Sequence, residues 1–130
     1  VRPVTEKDQD AWRAGRVWGP QLEIRRKMGE NSITTGLLYG EALGTGWLSS
    51  EEKVEKGHDY FISEGWNKIR IVADGPRIQT FVNGHLIEDL VNDEVYKTHP
   101  KGFIALQIHG INGERQFTMQ WRNIKVRPIK

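Results

Sequence analysis

The sequence predicts an all-β domain of antiparallel strands, and three observations support this fold class. Several short stretches alternate apolar and polar residues at a period of two, as strands with one buried face do. Glycine occurs 14 times in 130 residues, and it repeatedly separates these stretches. No stretch shows convincing helical periodicity. About seven strands with turns between them favour a sandwich or barrel, and the length suits a single domain over residues 1–130.

The first half of the chain carries two predicted strands and a long connection. Residues 1–17 form a polar, irregular N-terminal segment, and the first strand alternates over residues 20–25. A charged turn follows, and the second strand covers residues 33–39. Glycines and serines break any period across residues 41–65, and within this connection residues 51–56 are a candidate for a single helical turn. Connections this long are often functional.

The clearest prediction is a three-stranded antiparallel meander over residues 66–90. Its strands are predicted at residues 66–73, 77–82 and 85–90. Asn83-Gly84 connects the last two as a two-residue hairpin turn, since both positions of the favoured turn need positive φ.

The C-terminal part is predicted to contain a loop and two further strands. Residues 91–101 are polar and include Pro100, which predicts the loop. Residues 102–109 alternate strongly and predict a strand, and residues 116–127 predict a long final strand.

Composition excludes several classes of protein and site. The chain has no cysteine, so disulfide scaffolds and thiolate metal sites are excluded. The net charge of +2 lacks the basic excess of a nucleic-acid-binding domain. No apolar run approaches the roughly 20 residues that span a bilayer, and the sequence shows no signal-peptide pattern.

Sorting the predicted strands by face places an apolar side opposite a polar side. If these strands share a sheet, their polar sides form one surface of amides, a carboxylate, an imidazole and guanidinium groups. Such groups match sugar hydroxyls, and tryptophans at the rim can stack on sugar rings. The alternative is an ordinary solvent-exposed sheet face. The polar positions of interest are Gln21, Glu23, Gln107, His109 and Arg122.

Two residues of this polar surface carry possible acid/base chemistry. His109 is a candidate general acid, general base or metal ligand, because imidazole titrates near neutral pH. Glu23 is the acid that alternation places on the polar face of a strand, as a base, a ligand or a partner for an arginine. A two-carboxylate glycosidase mechanism needs a second acid across the bond, and the pattern supplies none. The nucleophile elbow, the His-Glu-x-x-His motif and the phosphate-binding glycine loop are absent.

Six short segments stand in an order that is typical of one family: Gly19-Pro20-Gln21-Leu22-Glu23-Ile24, Gly36-Leu37-Leu38-Tyr39-Gly40, Gly65-Trp66-Asn67-Lys68-Ile69-Arg70-Ile71, Val82-Asn83-Gly84, Gly102-Phe103-Ile104-Ala105-Leu106-Gln107-Ile108-His109-Gly110 and Trp121-Arg122-Asn123-Ile124-Lys125. Together they resemble the 3-keto-disaccharide hydrolase domain, a former domain of unknown function. The resemblance extends from about Trp18 to Val126, so residues 18–130 are taken as the family-like region. The additional N-terminal strands that usually open this family are not found within residues 1–17.

The resemblance implies a concanavalin-like jelly-roll β-sandwich of two antiparallel sheets, whose concave face handles sugars. Members are typically periplasmic or extracellular, and characterised ones resemble hydrolases or lyases that cleave glycosidic bonds of sugars oxidised at carbon 3. The ketone acidifies the adjacent C–H, so that one base and an electrophile for the enolate suffice.

The resemblance also assigns residues. Glu23 and His109 are expected as the acid/base or metal-ligand pair. The resemblance leaves open whether a divalent metal cation takes part, and these two residues would bind that cation. The expected substrate-binding residues are Gln21, Tyr39, Trp66, Gln107 and Arg122.

Two other functional classes stay open beside the enzyme. The same face would serve a non-catalytic carbohydrate-binding module, or a lectin-like module of a larger cell-surface protein. The expected partner is a carbohydrate, either an oligosaccharide or a glycoside. A homodimer is a further possibility, since unpaired sheet edges favour pairing with a second chain.

Overall fold

The computed structural model describes residues 2–3, 17–25, 35–50, 59–108 and 118–129. Within these ranges the chain is nearly all-β, with strands β1 (Arg2–Pro3), β2 (Val17–Leu22), β3 (Leu38–Glu41), β4 (Gly46–Trp47), β5 (Ile69–Asp74), β6 (Arg77–Val82) and β7 (His85–Val91). They form two antiparallel sheets, one in the order β1-β2-β3-β4 and one in the order β5-β6-β7. The predicted all-β class is confirmed and agrees with a β-sandwich, while the jelly-roll connectivity stays a prediction.

The second sheet, β5-β6-β7, is the predicted meander. Asn83 and Gly84 have φ values of 51° and 94°, as the predicted hairpin turn requires. The register shifts between Thr80 and Phe81, so β7 carries an extra residue there. This bulge turns the adjacent side chains of Ile87 and Glu88 to the buried side, where they are 2% and 0% exposed.

The core lies where the first sheet meets the meander. Leu37, just before β3, packs with Val82 and Ile87, and Phe61 and Ile69 pack against this cluster. The contact includes a polar tie, because the Thr80 hydroxyl donates a hydrogen bond to the carbonyl oxygen of Gly36. The segment that leads into β3 is therefore fixed directly on the meander, through the packing of Leu37 and the hydrogen bond to Gly36.

Gly36, two residues before β3, lies directly against Ile87 of β7. Its φ is +90°, and a Cβ atom placed there would be 3.0 Å from Cγ2 of Ile87. Both the backbone conformation and the contact oppose any side chain.

We expect Gly36→Ala to lower the free energy of unfolding by about 2–3 kcal/mol, the sum of a positive-φ cost and a steric cost. Gly75→Ala is the matched control, because Gly75 also has positive φ (+56°) but no atom lies within 4 Å of its added Cβ. The control should cost about 1 kcal/mol in denaturant unfolding. Equal losses for the two variants would contradict the close approach at Gly36.

Three short elements differ from the sequence prediction: a helix, strand β4, and strand β1 (Arg2–Pro3), which pairs with β2 although residues 1–17 are predicted to be irregular. The predicted loop at residues 91–101 contains a short helix, Asp93–Thr98. Its N-cap is Asn92, whose side-chain oxygen accepts a hydrogen bond of 2.9 Å from the backbone N–H of Val95. Strand β4 lies inside the connection predicted to be irregular, and it is too short for alternation to reveal.

The predicted C-terminal strands are wrong in the parts that the structure describes. Residues 102–108 and 118–129 form no strand, and nearly all of these residues are exposed. Alternation selects a face, but a strand exists only where a neighbour receives its backbone hydrogen bonds. The sequence pattern could not show whether such a neighbour is present. The predicted helical turn at residues 51–56 lies outside the described residues.

Candidate functional site

A row of three side chains crosses the face of the first sheet. Gln21 on β2 lies directly opposite Tyr39 on β3, and Tyr39 lies opposite Trp47 on β4. Directly opposed residues of antiparallel strands project to the same side of the sheet. An amide and two aromatic rings are therefore brought together, although the residues are distant in sequence.

Glu23 lies next to this row, two residues after Gln21 and just beyond the end of β2. Its backbone N–H donates to the carbonyl oxygen of Leu37 at 2.9 Å, and its own carbonyl accepts from the N–H of Gly36 at 2.8 Å. The side-chain amide of Gln21 donates a hydrogen bond to Oε1 of Glu23. Oε2 of this half-buried carboxylate forms no hydrogen bond to any residue that the structure describes. The arrangement gives an oriented carboxylate with one oxygen available as a base or ligand.

Tyr39 and Trp47 form an aromatic corner next to the amide. Their ring centroids are 5.2 Å apart and the ring planes meet at 77°. This edge-to-face geometry is one of the favourable arrangements of two aromatic rings. Trp47 is 44% exposed, so part of its ring is open to solvent. Aromatic side chains next to a few fixed polar groups are typical of small-molecule binding sites.

Trp47 is the residue of this surface that the sequence analysis missed. It follows Gly44-Thr45-Gly46 and precedes no alternating stretch, so periodicity predicts an irregular connection at this position. The available signal was a tryptophan directly after a glycine-rich turn that follows a strand.

A second carboxylate, Glu41, lies at the far end of β3. It is opposite Gly19, whereas Glu23 is bonded to Leu37, so four residues separate the two along the strands. At the rise of a strand, the two Cα atoms are about 14 Å apart. Paired glycosidase carboxyl groups are typically about 5–9.5 Å apart. These values refer to the carboxyl groups, which two glutamate side chains can bring several ångströms closer than their Cα atoms, so the register alone does not decide between one carboxylate and two.

Trp66 and Arg122 form a separate pair. The guanidinium carbon of Arg122 lies 3.9 Å from the centroid of the Trp66 ring, within the range of a cation–π contact. Both side chains are exposed. Five of the predicted site residues therefore fall into two groups. The predicted catalytic residue Glu23 lies with the predicted binding residues Gln21 and Tyr39 on the sheet, and the predicted binding residues Trp66 and Arg122 form the other group.

The remaining predicted site residues are Gln107 and His109. Gln107 is exposed and forms no hydrogen bond within the described part of the chain. His109 lies outside the described residues, so its pairing with Glu23 stays a prediction. Across the described ranges, no group of three or more His, Asp or Glu side chains could hold a metal ion.

The described residues thus define an all-β domain with an amide, a carboxylate and two aromatic rings on one sheet face. The chain belongs to the family described as the 3-keto-alpha-glucoside-1,2-lyase-like domain, whose sequence model matches residues 6–127. The family resemblance predicted from the six segments is therefore confirmed, and the match begins before Trp18. No curated protein and no solved structure matches this chain. None of the helices in the described residues is long and apolar enough to cross a membrane.

Proposed function

We propose that this chain is an enzyme, a hydrolase or lyase that cleaves the glycosidic bond of a sugar carrying a ketone at carbon 3. The observation that supports this most is Glu23, a half-buried carboxylate held by Gln21 beside the Tyr39–Trp47 corner. The membership in a lyase-like family agrees with this choice. A single base fits an elimination better than it fits a mechanism with paired carboxylates.

The proposed reaction begins with proton transfer from carbon 2 of the sugar to Glu23. The C–H electrons form a carbon 2–carbon 3 double bond, and the electrons of the ketone move to its oxygen as an enolate. When the enolate collapses, a carbon 1–carbon 2 double bond forms and the bond to the glycosidic oxygen breaks. A general acid, expected at His109 or at protonated Glu23, supplies the leaving oxygen with a proton. Addition of water to the unsaturated product gives net hydrolysis.

The other residues have binding roles in this scheme. Gln21 orients Glu23 and the aromatic corner binds a sugar ring, while Gln107 and Arg122 are expected to contact the substrate. A divalent cation, if the reaction uses one, would bind at Glu23 and His109 and would stabilise negative charge on oxygen. Loss of turnover in EDTA, restored by the added cation, tests this part of the proposal.

The test is incubation of the purified protein with a 3-keto-glucoside and, separately, with the unoxidised glucoside. We expect release of the leaving group from the keto sugar and none from the parent, because only the ketone acidifies carbon 2. Product analysis by NMR should detect the unsaturated keto sugar or its hydrate. Equal cleavage of both glycosides would contradict the elimination.

The exposed Trp47 also supports a second candidate, a carbohydrate-binding module that uses the same face without turnover. Calorimetry separates the two functions, since the module would bind the keto sugar and leave it intact. A lectin-like domain of a cell-surface protein is the related third reading. Family resemblance supports a periplasmic or extracellular location, which fractionation of cells would test.

We expect Trp47→Ala to weaken sugar binding about tenfold, which corresponds to about 1.4 kcal/mol, because one wall of the aromatic corner is removed. Trp47→Phe should retain most of the affinity, since it keeps an aromatic face. Calorimetric titration gives both values. Tyr96→Ala is the control, because Tyr96 is an exposed aromatic residue (40%) on the helix. Unchanged binding in Trp47→Ala would remove Trp47 from the site.

A further inference from the structure

Strand β5 forms an edge of the meander that can accept another strand. Among the described residues it pairs with β6 alone and without a register shift, and Arg70, Ile71, Ala73 and Asp74 are exposed. The other edge strands in the described ranges are less suitable. Strands β1 and β4 have two residues each, and β7 carries a bulge, a feature that disfavours pairing at an edge.

The backbone groups of β5 that point away from β6 belong to alternate residues. The N–H of Asn83 donates to the carbonyl oxygen of Lys68 at 2.9 Å, so the backbone of Lys68 is directed toward the β6 side. In an antiparallel ladder this direction alternates along the strand. The odd-numbered residues Ile69, Ile71 and Ala73 therefore turn their N–H and C=O groups to the open edge. A strand that joins β5 must place its own bonding residues opposite these three.

Two side chains of opposite charge lie on one face of this edge. Arg70 and Asp74 are four residues apart in the strand, so both project to the same side. Neither forms an ion pair with any residue in the described ranges. Arg77, which lies opposite Asp74, donates instead to Asp89 through two hydrogen bonds of 2.7 and 2.6 Å. Charges on an edge usually oppose pairing, but opposite charges at matched positions favour it.

The sequence of β5 is complementary to itself when two copies run antiparallel with Val72 on the two-fold axis. Arg70 of each copy then lies opposite Asp74 of the other, and Val72 lies opposite Val72. Ile71 lies opposite Ala73, so the outward backbone groups of the two copies also face each other. The Arg70–Asp74 pairs occupy positions without inter-strand hydrogen bonds, where opposed side chains are closest. Charge and backbone bonding are therefore satisfied in the same register.

We propose that two copies of this chain form a symmetric dimer by pairing their β5 strands antiparallel about Val72. The two meanders then join into one sheet of six strands, and each copy contributes the same strand to the contact. The charge match of Arg70 with Asp74 across the axis is what identifies the partner as a second copy. The paired segment is short, so the dimer is expected to be reversible and to increase with protein concentration. Such a dimer goes beyond the proposed function and does not depend on it.

The test measures self-association of the wild-type protein, Arg70→Glu and Asp74→Arg by sedimentation equilibrium at concentrations up to about 1 mM, which reaches millimolar dissociation constants. We expect the wild type to dimerise. Each variant places two pairs of like charges opposite each other and should raise the Kd at least about tenfold. An equimolar mixture of the two variants should dimerise again, because both cross-axis pairs of the mixed dimer have opposite charges. Arg127→Glu, the same charge change at an exposed residue outside β5, is the control.

Lys68→Glu tests the register. In the proposed pairing Lys68 lies opposite Pro76, so this variant should change the Kd at most a few-fold. A shift that places Ile71 on the axis would bring Lys68 opposite Asp74 of the second copy, and the same variant would then abolish the dimer. A loss in Lys68→Glu as large as in Arg70→Glu would therefore contradict the register with Val72 on the axis.

Three results would overturn the dimer as proposed. They are a wild-type protein that stays monomeric throughout the concentration range, a dimer that persists in both Arg70→Glu and Asp74→Arg, and a mixture of these two variants that stays monomeric. Circular dichroism and denaturant unfolding of each variant establish that a lost dimer is not lost folding. Turnover of a 3-keto-glucoside enters none of these readouts, so they stand or fall separately from the proposed function.

Discussion

Glu23→Gln is expected to lower kcat for a 3-keto-glucoside by about 10²–10⁴-fold, the usual contribution of a general base. The amide keeps the size and shape of the side chain but cannot accept the proton from carbon 2. KM or the calorimetric Kd should change only a few-fold, because the aromatic corner and Gln21 remain. Steady-state kinetics and calorimetry on the same preparation measure the two effects separately.

Two further variants make this result specific. Glu94→Gln removes an exposed carboxylate in the first turn of the helix and should leave kcat unchanged. Glu41→Gln tests the other carboxylate near the polar face, and we expect at most a few-fold effect. A large loss in Glu41→Gln with normal activity in Glu23→Gln would mean that the base has been assigned to the wrong residue.

Leu37→Ala is expected to lower the free energy of unfolding by about 2–5 kcal/mol, the range for large-to-small changes in a core. Leu37 is 1% exposed and packs with Val82 and Ile87, so its loss leaves a cavity between the first sheet and the meander. The same backbone segment receives the N–H of Glu23. We therefore expect stability and turnover to fall together, measured by denaturant unfolding and by kcat.

Ile124→Ala is the control for this variant. Ile124 is 61% exposed, so its truncation should change the unfolding free energy by at most about 0.5 kcal/mol. A similar loss in both variants would contradict the position of the core. A small loss in Leu37→Ala alone would show that the two sheets are held together elsewhere.

The meander could be predicted because its signals are local. Asn83-Gly84 fixes the turn through positive φ, and the flanking alternation fixes which residues pair. The bulge that buries Glu88 beside Ile87 was not predictable, since alternation would place neighbouring residues on opposite faces. A carboxylate in the core therefore carried no sequence signal.

The candidate site was predictable only within a strand. Alternation places Gln21 and Glu23 on one face, and the hydrogen bond between their side chains agrees with that. The contact of Tyr39 with Trp47 depends on which strands are neighbours, and periodicity contains no such information. The catalytic and binding roles of these residues stay predictions.

The prediction of the C-terminal strands was wrong for the same reason. Residues 102–108 and 118–129 have strand-like alternation but no strand neighbour in the described part of the chain. Alternation with a period of two residues predicts which side of a strand would be buried, while burial itself needs another part of the chain packed on that side. Ile104 and Val126 are accordingly 71% and 72% exposed.

The most direct test of the central claim is hydrogen exchange at carbon 2 of a 3-keto sugar that lacks a leaving group at carbon 1. NMR in D2O would follow loss of the carbon 2 proton signal with wild-type protein and with Glu23→Gln. The account predicts exchange well above the buffer rate for the wild type and none above it for the variant. Binding of the sugar without any exchange would contradict proton abstraction, and the protein would then be a carbohydrate-binding module.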